Sequence, residues 1–129
     1  MTEIPNNLKY TKEHQWIKIE DNIGIVGVTD FAQKQLTDIV FVDLPEKGKK
    51  VEQNKSLAVI ESVKSVSDVF SPASGEVIEV NGDLNNTPET INKDPYGKGW
   101  VVKLKIENKD EVNALMSAQD YENFIKEAK

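Results

Sequence analysis

Hydrophobic positions along this chain come in short alternating or β-branched runs, and only the last twenty or so residues change to a helical period. Trp16-Ile17-Lys18-Ile19 and the run 23–28 flank Glu20-Asp21-Asn22, which has the side chains of a hairpin turn. Thr29 is placed to cap a short helical turn through Phe31, Ala32 and Leu36. Residues 39–44 alternate as a strand and stop at Pro45, before the lysine-rich loop 46–50. Further strands are predicted over 56–61, 66–70, 76–80 and 100–106, all rich in β-branched or aromatic residues. Pro72, Gly75, Asn81-Gly82 and Asp94-Pro95-Tyr96-Gly97 punctuate them.

Near the end, Val112, Leu115 and Met116 fall at i, i+3 and i+4, and so do Tyr121, Phe124 and Ile125. Ser117 followed by Asp120 reads as a helix start. Two short helices are therefore expected to pack on a β body. Seven or so short strands with close turns predict a mainly β fold, a small sandwich or barrel. A faint echo links Ile39-Val40-Phe41, leading into Pro45 and Gly48, with Asp68-Val69-Phe70, leading into Pro72 and Gly75. That repetition suits a pseudo-symmetric sandwich. The chain is read as one domain over 1–129, with the β body at about 8–106 and the helical tail at about 109–127.

Composition narrows the function classes. With 38% hydrophobic and 29% charged residues the chain suits a folded, water-exposed domain rather than a disordered one. Apolar runs such as 57–60 fall far short of a bilayer span, so no membrane role is expected. Residues 1–7 lack the basic region and apolar core of a secretory signal, and a cytoplasmic location is the expectation. The chain has no cysteine, which removes disulfides and protein thiolates. Net charge is −6, and all 16 basic residues are lysine. Without arginine there is no bidentate fork for phosphate or guanine, and the acidic balance repels nucleic acid. Such a surface suits steering toward basic partner proteins, although an aid to solubility alone would account for it.

Catalytic constellations are missing. His14 is the single histidine, and it stands beside Gln15 and Trp16 as a structural hydrogen-bonding residue would. No HExxH, CxxC, GxGxxG or P-loop spacing occurs. The expectation is a protein that is not an enzyme, with no catalytic residue and no metal.

One segment stands apart. Between the strands 57–60 and 66–70 lies Glu61-Ser62-Val63-Lys64-Ser65, without the Gly, Pro or Asn expected where a chain reverses. If the flanking strands pair, Lys64 sits near a hairpin tip with its amine in water. On spacing alone, a lysine that merely blunts a hairpin is the better reading.

Glu61-Ser62-Val63-Lys64-Ser65-Val66-Ser67-Asp68, followed by Ser71-Pro72-Ala73-Ser74-Gly75-Glu76-Val77, closely resembles the lipoylation segment of the glycine cleavage H-protein family. Leu8-Lys9-Tyr10, His14-Gln15-Trp16, Val28-Thr29-Asp30-Phe31-Ala32-Gln33 and the stretches 38–48, 79–81 and 91–100 are similar to that family in order and spacing. Biotin carriers, which share the fold, place methionine on both sides of the lysine, where this chain has Val63 and Ser65. Lipoyl domains of 2-oxoacid dehydrogenase complexes are shorter and carry Asp before the lysine.

The resemblance implies a lipoyl/biotinyl-type fold: a flattened β-barrel or sandwich of two small antiparallel sheets, with short helices in the N-terminal half and at the C-terminus. It implies lipoate held covalently as lipoyl-lysine at Lys64, within an attachment motif that includes Glu61, Val63 and Ser65. A pocket for the resting arm is expected near Glu13, Gln15 and Asp68. The implied work is a shuttle, carrying an aminomethyl group from glycine decarboxylase, a pyridoxal phosphate enzyme, to a tetrahydrofolate-dependent aminomethyltransferase. Reducing equivalents would pass to dihydrolipoamide dehydrogenase. A lipoate-attaching enzyme completes the partner set, and the carrier is expected to be monomeric. Two other readings stand beside this one: a lipoyl donor for other lipoate-dependent complexes, and a β-type interaction module that carries no lipoate. Two departures from the family stand out. Gln15 occupies a position where the family usually has Glu, and Thr37 one where it often has Gly.

Overall fold

A computed structural model describes residues 2–127; Met1, Ala128 and Lys129, which the sequence reading puts in the same domain, lie outside the described residues. Among the described residues there are nine strands: β1 (Lys9–Tyr10), β2 (Gln15–Glu20), β3 (Ile23–Val28), β4 (Ile39–Asp43), β5 (Lys50–Val51), β6 (Ser56–Ser62), β7 (Val66–Phe70), β8 (Gly75–Val80) and β9 (Val102–Ile106). They form a six-stranded sheet in the order β1-β2-β3-β9-β8-β5 and a three-stranded sheet in the order β4-β6-β7. All pairings are antiparallel. The arrangement is a mainly β fold of two open sheets, as the pattern predicts.

Seven of these strands fall where alternation and turn residues place them. β1 and β5 are two residues each, too short to carry a period, and only their partners define them. The internal echo marks a real repetition in topology. β4 and β7 flank β6 in the small sheet, and each leads through its proline to a strand of the large sheet. Those two destinations, β5 and β8, then pair with each other through Val51 and Gly75.

Between the sheets, Ile17, Val26, Val42, Ile60, Val77 and Leu104 are essentially inaccessible to water. Each such side chain contributes about 1.5–3 kcal/mol relative to its exposed state. A second cluster joins Leu8, Tyr10 and Trp16 to Ala118, Tyr121 and Ile125 of the tail. Gly27 makes room for it, because a Cβ there would lie 2.7 Å from the Trp16 indole.

The described residues also form four helices: α1 (Asp30–Leu36), α2 (Thr90–Lys93), α3 (Lys109–Asn113) and α4 (Ala118–Glu127). α1 begins as predicted, with Thr29 Oγ1 accepting from the Ala32 amide at 3.1 Å. Ser117 likewise receives the Asp120 amide at the start of α4. α2, and a 3-10 turn over Gly82–Asn85, lie in a stretch that reads as loop, since single turns leave no usable period. The tail is tied to the N-terminal strand. Tyr10 and Met116 exchange both backbone hydrogen bonds, at 2.9 and 3.0 Å, and the Tyr10 and Tyr121 rings stack at 4.7 Å.

Candidate functional site

The turn between β6 and β7 is built by a serine. Ser62 Oγ accepts from the amides of Lys64 and Ser65, at 3.2 and 3.0 Å, and donates to the Ser65 carbonyl at 3.2 Å. The Ser62 amide donates to the same carbonyl at 2.8 Å. One hydroxyl thus does what Gly or Asn does in other hairpins, by satisfying the amides that the reversal leaves open. The Val63 amide donates to the Asp38 carbonyl at 3.0 Å and fastens the tip to the entry of β4. Lys64 is exposed at this tip, and its ammonium has no hydrogen bond or ion pair with a described residue. An amine held on a fixed turn without a competing partner is open to acylation.

Beside it runs a groove of about 430 Å³. Lys64 and Ser65 border it from the turn and Asp68 from β7, whose outer edge no strand among the described residues covers. Glu13, His14 and Gln15 border it from the loop entering β2, and part of α1 closes another side. Five of the seven residues singled out by sequence therefore meet at one groove. Glu61 and Val63 do not line it: Glu61 pairs between Phe41 and Val66 on the small sheet, and Val63 stands exposed at the tip.

The carboxylates and Gln15 play different parts. Glu13 and Asp68 are exposed; Asp68 Oδ1 accepts from Ser56 Oγ at 2.9 Å. Gln15 is only 2% exposed, and its amide is committed at both ends. Its Oε1 accepts from Thr11 Oγ1 at 2.7 Å, and its Nε2 donates to the Glu13 carbonyl at 2.8 Å. A glutamate here would keep the first bond and lose the second. Gln15 borders the groove while holding the Thr11–Glu13 loop in shape.

His14 is more constrained than a lone histidine in a loop need be. Its φ is +71°, and its ring lies 4.7 Å from Phe31 and edge-on to Tyr121. Its Nδ1 is 2.8 Å from Tyr121 Oη, which is 2.8 Å from Thr29 Oγ1. Thr29 is fully buried, and its hydroxyl already accepts from Ala32. Thr29, Tyr121 and His14 thus form one hydrogen-bonded chain. Burial pushes the His14 pKa down, against the upward pull of Glu13, and so favours the neutral imidazole. Burial likewise raises the Tyr121 hydroxyl to about 12.

Sequence reading finds Thr29 as a cap and Tyr121 as a helix-face residue, but not the hydroxyl chain that wires both to His14. Pair contacts across more than ninety residues leave no local signal. The Thr37 departure does have a structural counterpart. Thr37 ends α1 with φ +62° and ψ −142°, a backbone region that suits glycine and strains a β-branched residue.

Residues 8–128 match the family model described as Glycine cleavage H-protein. A glycine cleavage system H protein of Symbiobacterium thermophilum is 55% identical over 127 residues, covering 98% of this chain and 99% of its own. That of Carboxydothermus hydrogenoformans is 50% identical over 127 residues, with 98% of each chain covered. Among solved structures, a glycine cleavage system H protein from Mycobacterium marinum superposes with a TM-score of 0.89 at 39% identity. That match covers 95% of this chain and 99% of the other.

Proposed function

Because the chain belongs to the glycine cleavage H-protein family, whose members are the lipoyl-bearing carriers of the glycine cleavage system, we propose that Lys64 holds the lipoyl group here. The observation that carries this reading is the exposed, unpartnered ammonium of Lys64 on a turn fixed by Ser62, at the mouth of a groove. Lipoate, when bound, supplies a disulfide that takes up a one-carbon group and electrons and is regenerated by thiol–disulfide exchange.

The chain's own residues supply placement. Ser62 and Asp38 fix the tip, so that an attached arm pivots about a defined point. Glu13 and Asp68 give the groove negative charge suited to a primary ammonium on that arm. Ile60, Val69 and Leu36 give it apolar walls that exclude water from an aliphatic chain. The neutral His14 supports the wall without adding a competing cation. The Glu61 and Val63 positions belong to recognition of the tip rather than to the groove, and Ser65 belongs to both.

The finer assignments follow from the same reading. The carrier serves glycine decarboxylase, the aminomethyltransferase and dihydrolipoamide dehydrogenase in turn, as a tethered substrate raises effective concentration at each without tight binding. It performs no catalysis of its own, and a lipoate-attaching enzyme loads it. The test is a glycine–bicarbonate exchange assay with the decarboxylase, using carrier first treated with lipoate ligase. The loaded protein should support exchange and Lys64→Arg should not, because a guanidinium offers no amine that forms the amide. The exposed substitution should shift unfolding by no more than about 0.5 kcal/mol. Exchange supported by Lys64→Arg would refute the assignment.

A further inference from the structure

Most of the exposed large hydrophobic side chains among the described residues lie on the face that surrounds Lys64. Six large hydrophobic side chains are exposed among the described residues: Ile23, Val40, Phe41, Val63, Val66 and Ile78. Four of them, Val40, Phe41, Val63 and Val66, gather at the Lys64 end of the small sheet, at 47–67% exposure. The register explains how. Phe41, Glu61 and Val66 lie directly opposite one another across β4, β6 and β7, so their side chains share the outward face. The pairing of β4 slips by one residue between Ile39 and Phe41. That bulge breaks the alternation and leaves both Val40 and Phe41 outside, where a regular strand would bury one of them.

Around this apolar cluster stand Asp38, Asp43, Glu61 and Asp68, none in an ion pair with a described residue. The other end of the same hairpin has the opposite character. Lys55 lies just before β6, and with Lys49 and Lys50 it borders a separate surface cavity in which these three lysines outnumber the two carboxylates, Glu52 and Glu107. The length of β6 separates the two ends by about 20 Å. That distance exceeds the Debye length of about 8 Å at physiological salt, so each end presents its own field.

We infer that the Val40–Phe41–Val63–Val66 face is the docking surface for the enzyme that acylates Lys64, a protein with an apolar site mouth and a basic rim. This rests on the proposed attachment at Lys64. Reach selects the occupant. Acylation must bring the lysine Nζ itself to the acyl donor, so the enzyme has to cover the surface within one lysine stem of the tip. Enzymes that work on the far end of a loaded arm meet it a whole lipoyl chain further out and need not touch this face. Charge selects the lysine. A basic rim is attracted to the carboxylates around Lys64 and less so to the lysine-rich surface around Lys55, which is also exposed.

The experiment is steady-state lipoylation of the full, unmodified chain by lipoate ligase, followed by mass spectrometry. The double variant Phe41→Ser/Val66→Ser should raise KM about tenfold or more, as loss of central interface contacts does, with kcat within about twofold. Asp38→Lys/Asp43→Lys should raise KM as well and remove the weakening of the reaction by added salt. The control Ile23→Ser/Ile78→Ser, which alters the two exposed apolar residues of the other sheet, should leave both constants unchanged. Unchanged KM in the first two variants, with Lys64 still acylated, overturns the docking surface and leaves the attachment standing. Failure of the parent chain to be acylated at all overturns the attachment, and this inference with it.

Discussion

The turn that carries Lys64 and the loop that carries His14 border one groove, yet they are organised on opposite plans. At Lys64 a short exposed turn is held by backbone bonds and one serine hydroxyl, and nothing packs over it. At His14 a chain of hydroxyls runs from buried Thr29 through Tyr121 to the imidazole, packed among Phe31, Phe124 and Tyr10. The first arrangement presents a reactive group at little structural cost, and the second fixes the wall against which an arm can rest. Changes at the tip should therefore alter chemistry without altering stability, and changes at the wall should do the reverse.

The strongest way to break that division is Tyr121→Ala. Tyr121 is inaccessible to water and stacks on Tyr10, so truncation should cost about 3–5 kcal/mol, as removal of a buried aromatic does. Urea unfolding of the variant measures it. A loss near the 0.5 kcal/mol expected at Lys64 would mean that the tail is not a structural wall. Thr37→Gly tests the hinge between α1 and the Asp38 carbonyl that fastens the tip. Strain at a residue of this conformation costs about 1–3 kcal/mol, and the entropy of glycine offsets about 0.5–1 kcal/mol of the relief. A net gain of about 1 kcal/mol in thermal unfolding is expected, with lipoylation of Lys64 unchanged. A destabilised variant would show that the Thr37 side chain contributes more than its backbone strain removes.

The smallest effect concerns pH. The His14 pKa is lower in the folded state than its ordinary 6.5, so between the two values the unfolded chain binds more protons. Its contribution is fully present above pH 6.5 and is lost as pH falls toward the folded value. Asp30 works in a lower window. Burial raises its carboxyl, but the Glu3 amide, Gln33 and Lys34 outweigh that and leave it below 3.8, so its contribution is lost only beneath that pH. Stability measured from pH 7 to pH 5 should decline in the parent and decline less in His14→Gln. Parallel profiles would mean that His14 is solvated and carries no linkage.

How far the sequence discloses this molecule depends on the range of the cause. β2, β3, β6 and β7 follow from alternation and turn residues within a dozen positions, and the α1 cap from Thr29 alone. The hairpin tip is legible as a place where a lysine would protrude, but the Ser62 hydroxyl that makes the reversal possible is not. Only family resemblance brings Glu13, Gln15 and Asp68 together, since β2 and β7 belong to different sheets and no local pattern links them. The bulge that exposes both Val40 and Phe41 is invisible in a run that alternates acceptably. Long-range wiring and register slips arise from packing, and no window of the chain contains them.

The carrier function rests on one nitrogen atom, Lys64 Nζ. Treating the purified chain with lipoate ligase and lipoate, then mapping tryptic peptides by mass spectrometry, examines it directly. A single adduct on Lys64 is expected, with the net charge going from −6 to −7 as that ammonium becomes an amide. Lys55 and Lys103 should stay unmodified. An adduct on either of those instead, or none after exhaustive treatment, would contradict the assignment of the hairpin tip as the point of attachment.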